Sequence, residues 1–143
     1  MFKRSSTLPA SEVKDHMKKE VIATDLAPRA IGTYSQAVKF GELIFVSGQI
    51  PLSPTTMAIV SEDFTGQAHQ VFKNLAAVAR AAHSNLESAL KFTVYLTNLN
   101  NFQCLNEVMA TYVTEPYPAR AAVEVSALPK GALIEIDAVL SAS

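Results

Sequence analysis

Apolar residues recur at helical spacing in two stretches of the chain and at alternating spacing in several others. After Ala68 come Val71, Phe72, Leu75, Val78, Ala79 and Ala82, in steps of three and four that form one stripe. Gln70, Lys73, Asn74 and Arg80 fall mainly on the other side. Asp63 or Thr65 is the expected cap, and Ser84-Asn85 the expected end. A second helix is predicted from about Asn101 to Val113, with Phe102, Leu105, Met109 and Tyr112 on one face. Asn100 or Asn101 would cap it, and Pro116 would stop the chain from continuing it.

Strand patterns surround these helices. Leu90, Phe92, Val94 and Leu96 alternate with Ala89, Lys91, Thr93 and Tyr95. Leu43 to Val46 is a short apolar run that should end in a turn at Ser47-Gly48. Glu20 to Thr24 and Gln36 to Phe40 read as shorter strands, the latter joined to Leu43 by a hairpin at Gly41-Glu42. Ala121 to Val125 and Leu133 to Leu140 read as a late pair joined through Leu128-Pro129-Lys130-Gly131. The order predicts an α+β domain with both helices on one face of a mixed sheet. In the last strand Ile134, Ile136, Ala138 and Leu140 belong under the helices. The opposite face, with Leu133, Glu135, Asp137 and Val139, fits either solvent or a second copy of the chain.

The 143 residues suffice for one domain, expected over 20–143, preceded by an extension over 1–19. Twelve basic and thirteen acidic residues give a net charge of −1, without the basic excess of a dedicated nucleic-acid binder. Cys104 is the single cysteine, so an internal disulfide and a CxxC zinc site are excluded. No apolar run has the length of a membrane span. Lys3, Arg4, Ser5, Ser6 and Thr7 faintly resemble a mitochondrial presequence, but Glu12, Asp15 and Glu20 oppose it, and a cytoplasmic protein is expected. His16, His69 and His83 lie in no metal-ligand pattern, and no GxSxG, GxGxxG or GxxxxGK[ST] motif occurs. His83 would serve the helix dipole and Cys104 would pack.

What remains is a set of polar residues in apolar or glycine-rich settings. Tyr34 lies in IGTYSQA, Ser47 and Gly48 in FVSGQIP, and Arg120 and Glu135 in YPARAAVEVSALPKGALIEI. Singly each has a plain structural explanation. Arg120 and Glu135 fit an ordinary cross-strand pair, Tyr34 a core aromatic with its hydroxyl at the surface, and Ser47-Gly48 a turn. Together, in this order and spacing, the segments closely resemble the Rid family (RidA or YjgF, also called L-PSP endoribonucleases or 2-iminobutanoate/2-iminopropanoate deaminases). The resemblance runs from about Asp25 to Ala138 and includes KFTVYLTNLNNF.

The resemblance implies a chorismate-mutase-like α+β fold assembled as a homotrimer, with a site in each cleft between neighbouring subunits. It implies hydrolysis of short 2-imino acids to 2-keto acids and ammonia, with no metal or organic cofactor. Arg120 matches the family's substrate-carboxylate arginine and Glu135 its glutamate, while Tyr34, Ser47 and Gly48 match pocket-lining positions. Phe102 resembles an apolar wall, and Ala122 stands where many members have cysteine and backbone contacts ligand. The chemistry suits these residue types. A guanidinium grips a planar carboxylate with two parallel bonds, each worth roughly 1.5–3 kcal/mol. An imine carbon then needs a positioned and partly deprotonated water, the task of a glutamate. Glycine at 48 would let backbone approach the ligand. Departures are Thr33 where proline is frequent, Ala122 for cysteine, and His83 where glycine is common. Two other functions remain open: cleavage of single-stranded RNA with inhibition of translation, and a non-catalytic, small-carboxylate-binding or chaperone-like trimer.

Overall fold

The computed structural model describes Pro9, Ala10 and residues 18–142, so the expected extension lies almost wholly outside the described residues. Six strands form one sheet: β1 (Glu20–Ile22), β2 (Ala37–Phe40), β3 (Leu43–Gln49), β4 (Ala89–Leu96), β5 (Ala119–Glu124) and β6 (Ile134–Ser141). Their spatial order is β1-β2-β3-β6-β4-β5. Every pairing is antiparallel except β4 with β5, which is parallel. Helices α1 (Phe64–Ala81) and α2 (Phe102–Met109) pack with the sheet into the α+β architecture.

The helix-side face of the sheet is the core. Ile44, Val46, Phe92, Val94, Leu96, Ile134, Ile136 and Leu140 are buried there beneath Ala68, Val71, Phe72, Leu75 and Val78 of α1. Phe72 meets Phe92 edge-on at 6.0 Å and stacks on Tyr112 at 5.0 Å. Asp63 caps α1 by accepting from the Gly66 amide at 2.9 Å. At the other end the amides of His83 and Ser84 return to the carbonyls of Arg80 and Ala79, both at 2.9 Å. This Schellman closure holds His83 at a φ of 59°.

Three local expectations differ from the structure. The second helix ends at Met109 because the amides of Thr111 and Tyr112 bond only three residues back, tightening the chain into a turn. Tyr112 still reaches the core from that turn. Its N-cap Asn101 makes no side-chain bond. Asn98 instead caps a preceding 3-10 turn through the Asn100 amide. β3 runs on through Ser47 and Gly48 to Gln49, with a register shift after Val46, where a turn was expected.

The larger correction concerns the late strand pair. β5 does not pair with β6. It lies parallel on the outer edge of β4, and β6 inserts between β3 and β4. Arg120 is therefore in register with Phe92, on the helix side, whereas Glu135 is in register with Tyr95, on the opposite face. The cross-strand Arg120–Glu135 pair does not exist within one chain.

Among the described residues no helix lies over the second face. Phe40, Leu43, Phe45 and Val123 are each more than a third exposed there, and Phe45 lies opposite Val38 and Val139.

Candidate functional site

Four of the sequence-selected residues meet in one open cleft of about 600 Å³: Tyr34, Ser47, Gly48 and Glu135. The loop carrying Tyr34 is pinned by Gln36, a buried side chain not singled out by sequence. Its amide donates to the carbonyls of Pro28 at 2.7 Å and Thr24 at 3.0 Å, and its oxygen accepts from the Thr24 amide at 2.7 Å. The Tyr34 hydroxyl accepts from the Ile31 amide at 3.3 Å while the ring stays largely exposed. The Ser47 hydroxyl donates to the Ser35 carbonyl at 2.5 Å. These bonds hold both side chains against the loop as the lip of the cleft. Arg29 and Lys130 add positive charge to its lining.

Glu135 forms the floor. It is half-buried, and its pKa is raised above the usual carboxylate value, first by desolvation and then by the charge of Asp137 two positions along the same face. Asp137 accepts from the Tyr95 hydroxyl at 3.0 Å, and that bond is the main cause of a raised Tyr95 pKa. Gly48 lies directly over the Glu135 carboxylate. A Cβ built on Gly48 would come within 2.9 Å of the Glu135 Cδ. The glycine thus makes room for the carboxylate, a closer constraint than the approach of a ligand.

Arg120 lies elsewhere, beside a second hollow of about 440 Å³ that Asn106, Met109 and Tyr117 also line. Its Nη1 donates to Asn106 Oδ1 at 2.6 Å and to Met109 Sδ at 3.7 Å, and its guanidinium carbon lies 4.9 Å from the centre of the Phe102 ring. Phe102, Asn106 and Met109 are spaced i, i+4, i+7 on α2 and form one stripe along it. Ala122 is on the same side of β5, in register with Val94 and half-buried against the core. The sequence-selected residues accordingly fall into two groups on opposite faces of the sheet. Asn106 escaped notice as a polar residue inside an apolar stripe, the one signal that marks it. Cys104 touches Thr65 Oγ1 at 3.0 Å and packs at the edge of the core. Among the described residues no cluster of His, Cys, Asp or Glu could hold a metal ion, and no helix is long and apolar enough to cross a membrane.

The family model described as Endoribonuclease L-PSP matches residues 24–141. The chain is 52% identical over 122 residues to RutC family protein y4sK of Sinorhizobium fredii, covering 85% of this chain and 97% of that protein. It is 40% identical to the chloroplastic Reactive Intermediate Deaminase A of Arabidopsis thaliana, covering 97% of this chain and 76% of that one. Among solved structures, RidA from the Antarctic bacterium Psychrobacter sp. aligns with a TM-score of 0.83 at 51% identity, covering 85% of this chain and 98% of that one. E. coli TdcF with bound serine aligns at 0.81 and 39% identity, covering 87% of this chain and 99% of that one.

Proposed function

We propose, from the premise that the chain belongs to the Rid (endoribonuclease L-PSP) family, that it hydrolyses short-chain 2-imino acids to 2-keto acids and ammonia at sites shared between subunits of a homotrimer. The observation that carries this reading is the division of the site. Arg120, read as the carboxylate grip, and Glu135, read as the water activator, lie on opposite faces of one sheet, whose second face exposes Phe40, Leu43 and Phe45 with no helix over it among the described residues. Packing that face on a neighbour lets the Arg120 edge of one copy close the Glu135 cleft of the next.

In the assembled site Arg120 holds the substrate carboxylate through paired N–H donors. Glu135 takes a proton from water as the water oxygen bonds to the imine carbon. The C=N π electrons pass to nitrogen, giving a tetrahedral carbinolamine. Glu135 returns that proton to nitrogen and then relays the carbinolamine hydroxyl proton to it as well, so that collapse of C–O⁻ to C=O breaks the C–N bond and releases ammonia with Glu135 again ionised. Tyr34 and Ser47 border the space in which the water and substrate sit. A deaminase among the relatives and serine, an amino acid, bound to a structural neighbour support this reading. RNA cleavage, the activity named by the family model, is the second reading. The balance of twelve basic against thirteen acidic residues gives it little electrostatic support. The deciding measurement is keto-acid and ammonia release from freshly generated 2-iminobutanoate, with single-stranded RNA incubated alongside. Acceleration over buffer is expected. A rate equal to buffer, with RNA cleaved, transfers the site to the second reading.

A further inference from the structure

Arg120 offers five N–H donors in a fixed plane, and a planar carboxylate can dock on that plane in two ways. End-on docking uses Nη1 and Nη2, whereas side-on docking uses Nε and Nη2. The α2 stripe decides between them. Nη1 carries two hydrogens, and it already has two acceptors, Asn106 Oδ1 at 2.6 Å and Met109 Sδ at 3.7 Å. The guanidinium carbon also lies over the Phe102 ring, 4.9 Å from its centre. Among the described residues no side chain accepts from Nε or Nη2.

We propose that Asn106 is a positioning residue that fixes the roll of the Arg120 guanidinium, so that the substrate carboxylate is bound side-on through Nε and Nη2. This rests on the reading of Arg120 as the carboxylate anchor. Asn106 takes no part in the chemistry. It ensures that the fork is aimed before the ligand arrives, which reduces the ordering cost of binding. Met109 and Phe102 complete the hold from the same helix face.

The test uses Asn106→Ala and Asn106→Asp in the intact protein. With the guanidinium free to roll, Asn106→Ala should weaken pyruvate binding about tenfold and raise KM by more than it lowers kcat, because Glu135 and the water are untouched. Asn106→Asp should weaken binding further, because its carboxylate occupies Arg120 and repels the ligand's. Thermal melts confirm that both variants are folded. NMR of the Arg120 side chain gives a readout independent of substrate. Rotation about the Cζ–Nη1 bond should be hindered in the wild type and released in Asn106→Ala. A pyruvate affinity within twofold of wild type in Asn106→Ala, or unchanged rotation, overturns the proposal. If the wild type binds no pyruvate, the anchor reading fails, and the rotation measurement alone decides whether Asn106 positions Arg120.

Discussion

At the level of single residues, burial and the Asp137 charge both hold a proton on Glu135 more tightly in the folded chain than in the unfolded one. The ionised form therefore costs stability above the raised pKa, and the cost disappears as pH falls below the ordinary value of about 4.3. Glu135→Gln should melt above the wild type at neutral pH, with the gap closing in acid. The same substitution removes the proposed proton acceptor, so kcat should fall by about 10²–10⁴-fold while pyruvate still binds. Steady-state rates and ligand titration on one preparation check both halves. Retained turnover would reduce Glu135 to a structural group. Asp137→Asn removes the neighbouring charge, so the acid limb of the pH–rate profile should move to lower pH, and an unmoved limb would deny the coupling. Gly48→Ala drives a methyl group into the space of the Glu135 carboxylate. It should cost activity well beyond any change in melting temperature, and a variant with wild-type kcat would show that the carboxylate has room to move.

At the level of elements, α1 shows how a departure from the family pattern acquires a physical meaning. His83 occupies the left-handed position of a Schellman closure, where a side chain with a Cβ costs roughly 1–2 kcal/mol and glycine costs almost none sterically. The stripe of α1, its Asp63 cap, the β2–β3 hairpin and the buried face of β6 were legible because each is encoded by neighbours in sequence. The partner of β5 was not. A parallel pairing leaves no turn between its strands, and the intervening α2 and cis Glu115–Pro116 segment hide it. The alanines at 119, 121 and 122 give β5 no apolar alternation, so the face of Arg120 could not be read either. Tyr34, Ser47, Gly48 and Glu135 were found through their motifs and do share a cleft, whereas the hydrogen bonds of Asn106 and Gln36 are contacts that only folding creates.

At the level of the whole molecule, the exposed apolar residues of the second face and the separation of Arg120 from Glu135 both support the proposed homotrimer. Phe40, Leu43 and Phe45 form an exposed apolar group of the kind that marks an association surface, and Glu135 shares that face with them. Arg120 stands in the row of Phe92 and Ala138, so no rotamer change brings its guanidinium through the sheet to Glu135 of the same chain. Subunit mixing tests this directly. Arg120→Ala and Glu135→Gln should each be nearly inactive alone. If both variants are unfolded together and reassembled at equal ratio, about a quarter of the intersubunit sites will draw intact Arg120 from one variant and intact Glu135 from the other. Activity should then rise to about that fraction of wild type, while separately refolded samples combined without exchange stay inactive. Light scattering should show trimers in every sample. Confirmed mixed trimers with no recovered activity would show that Arg120 and Glu135 of different chains do not work together, and the shared-site mechanism would have to be abandoned.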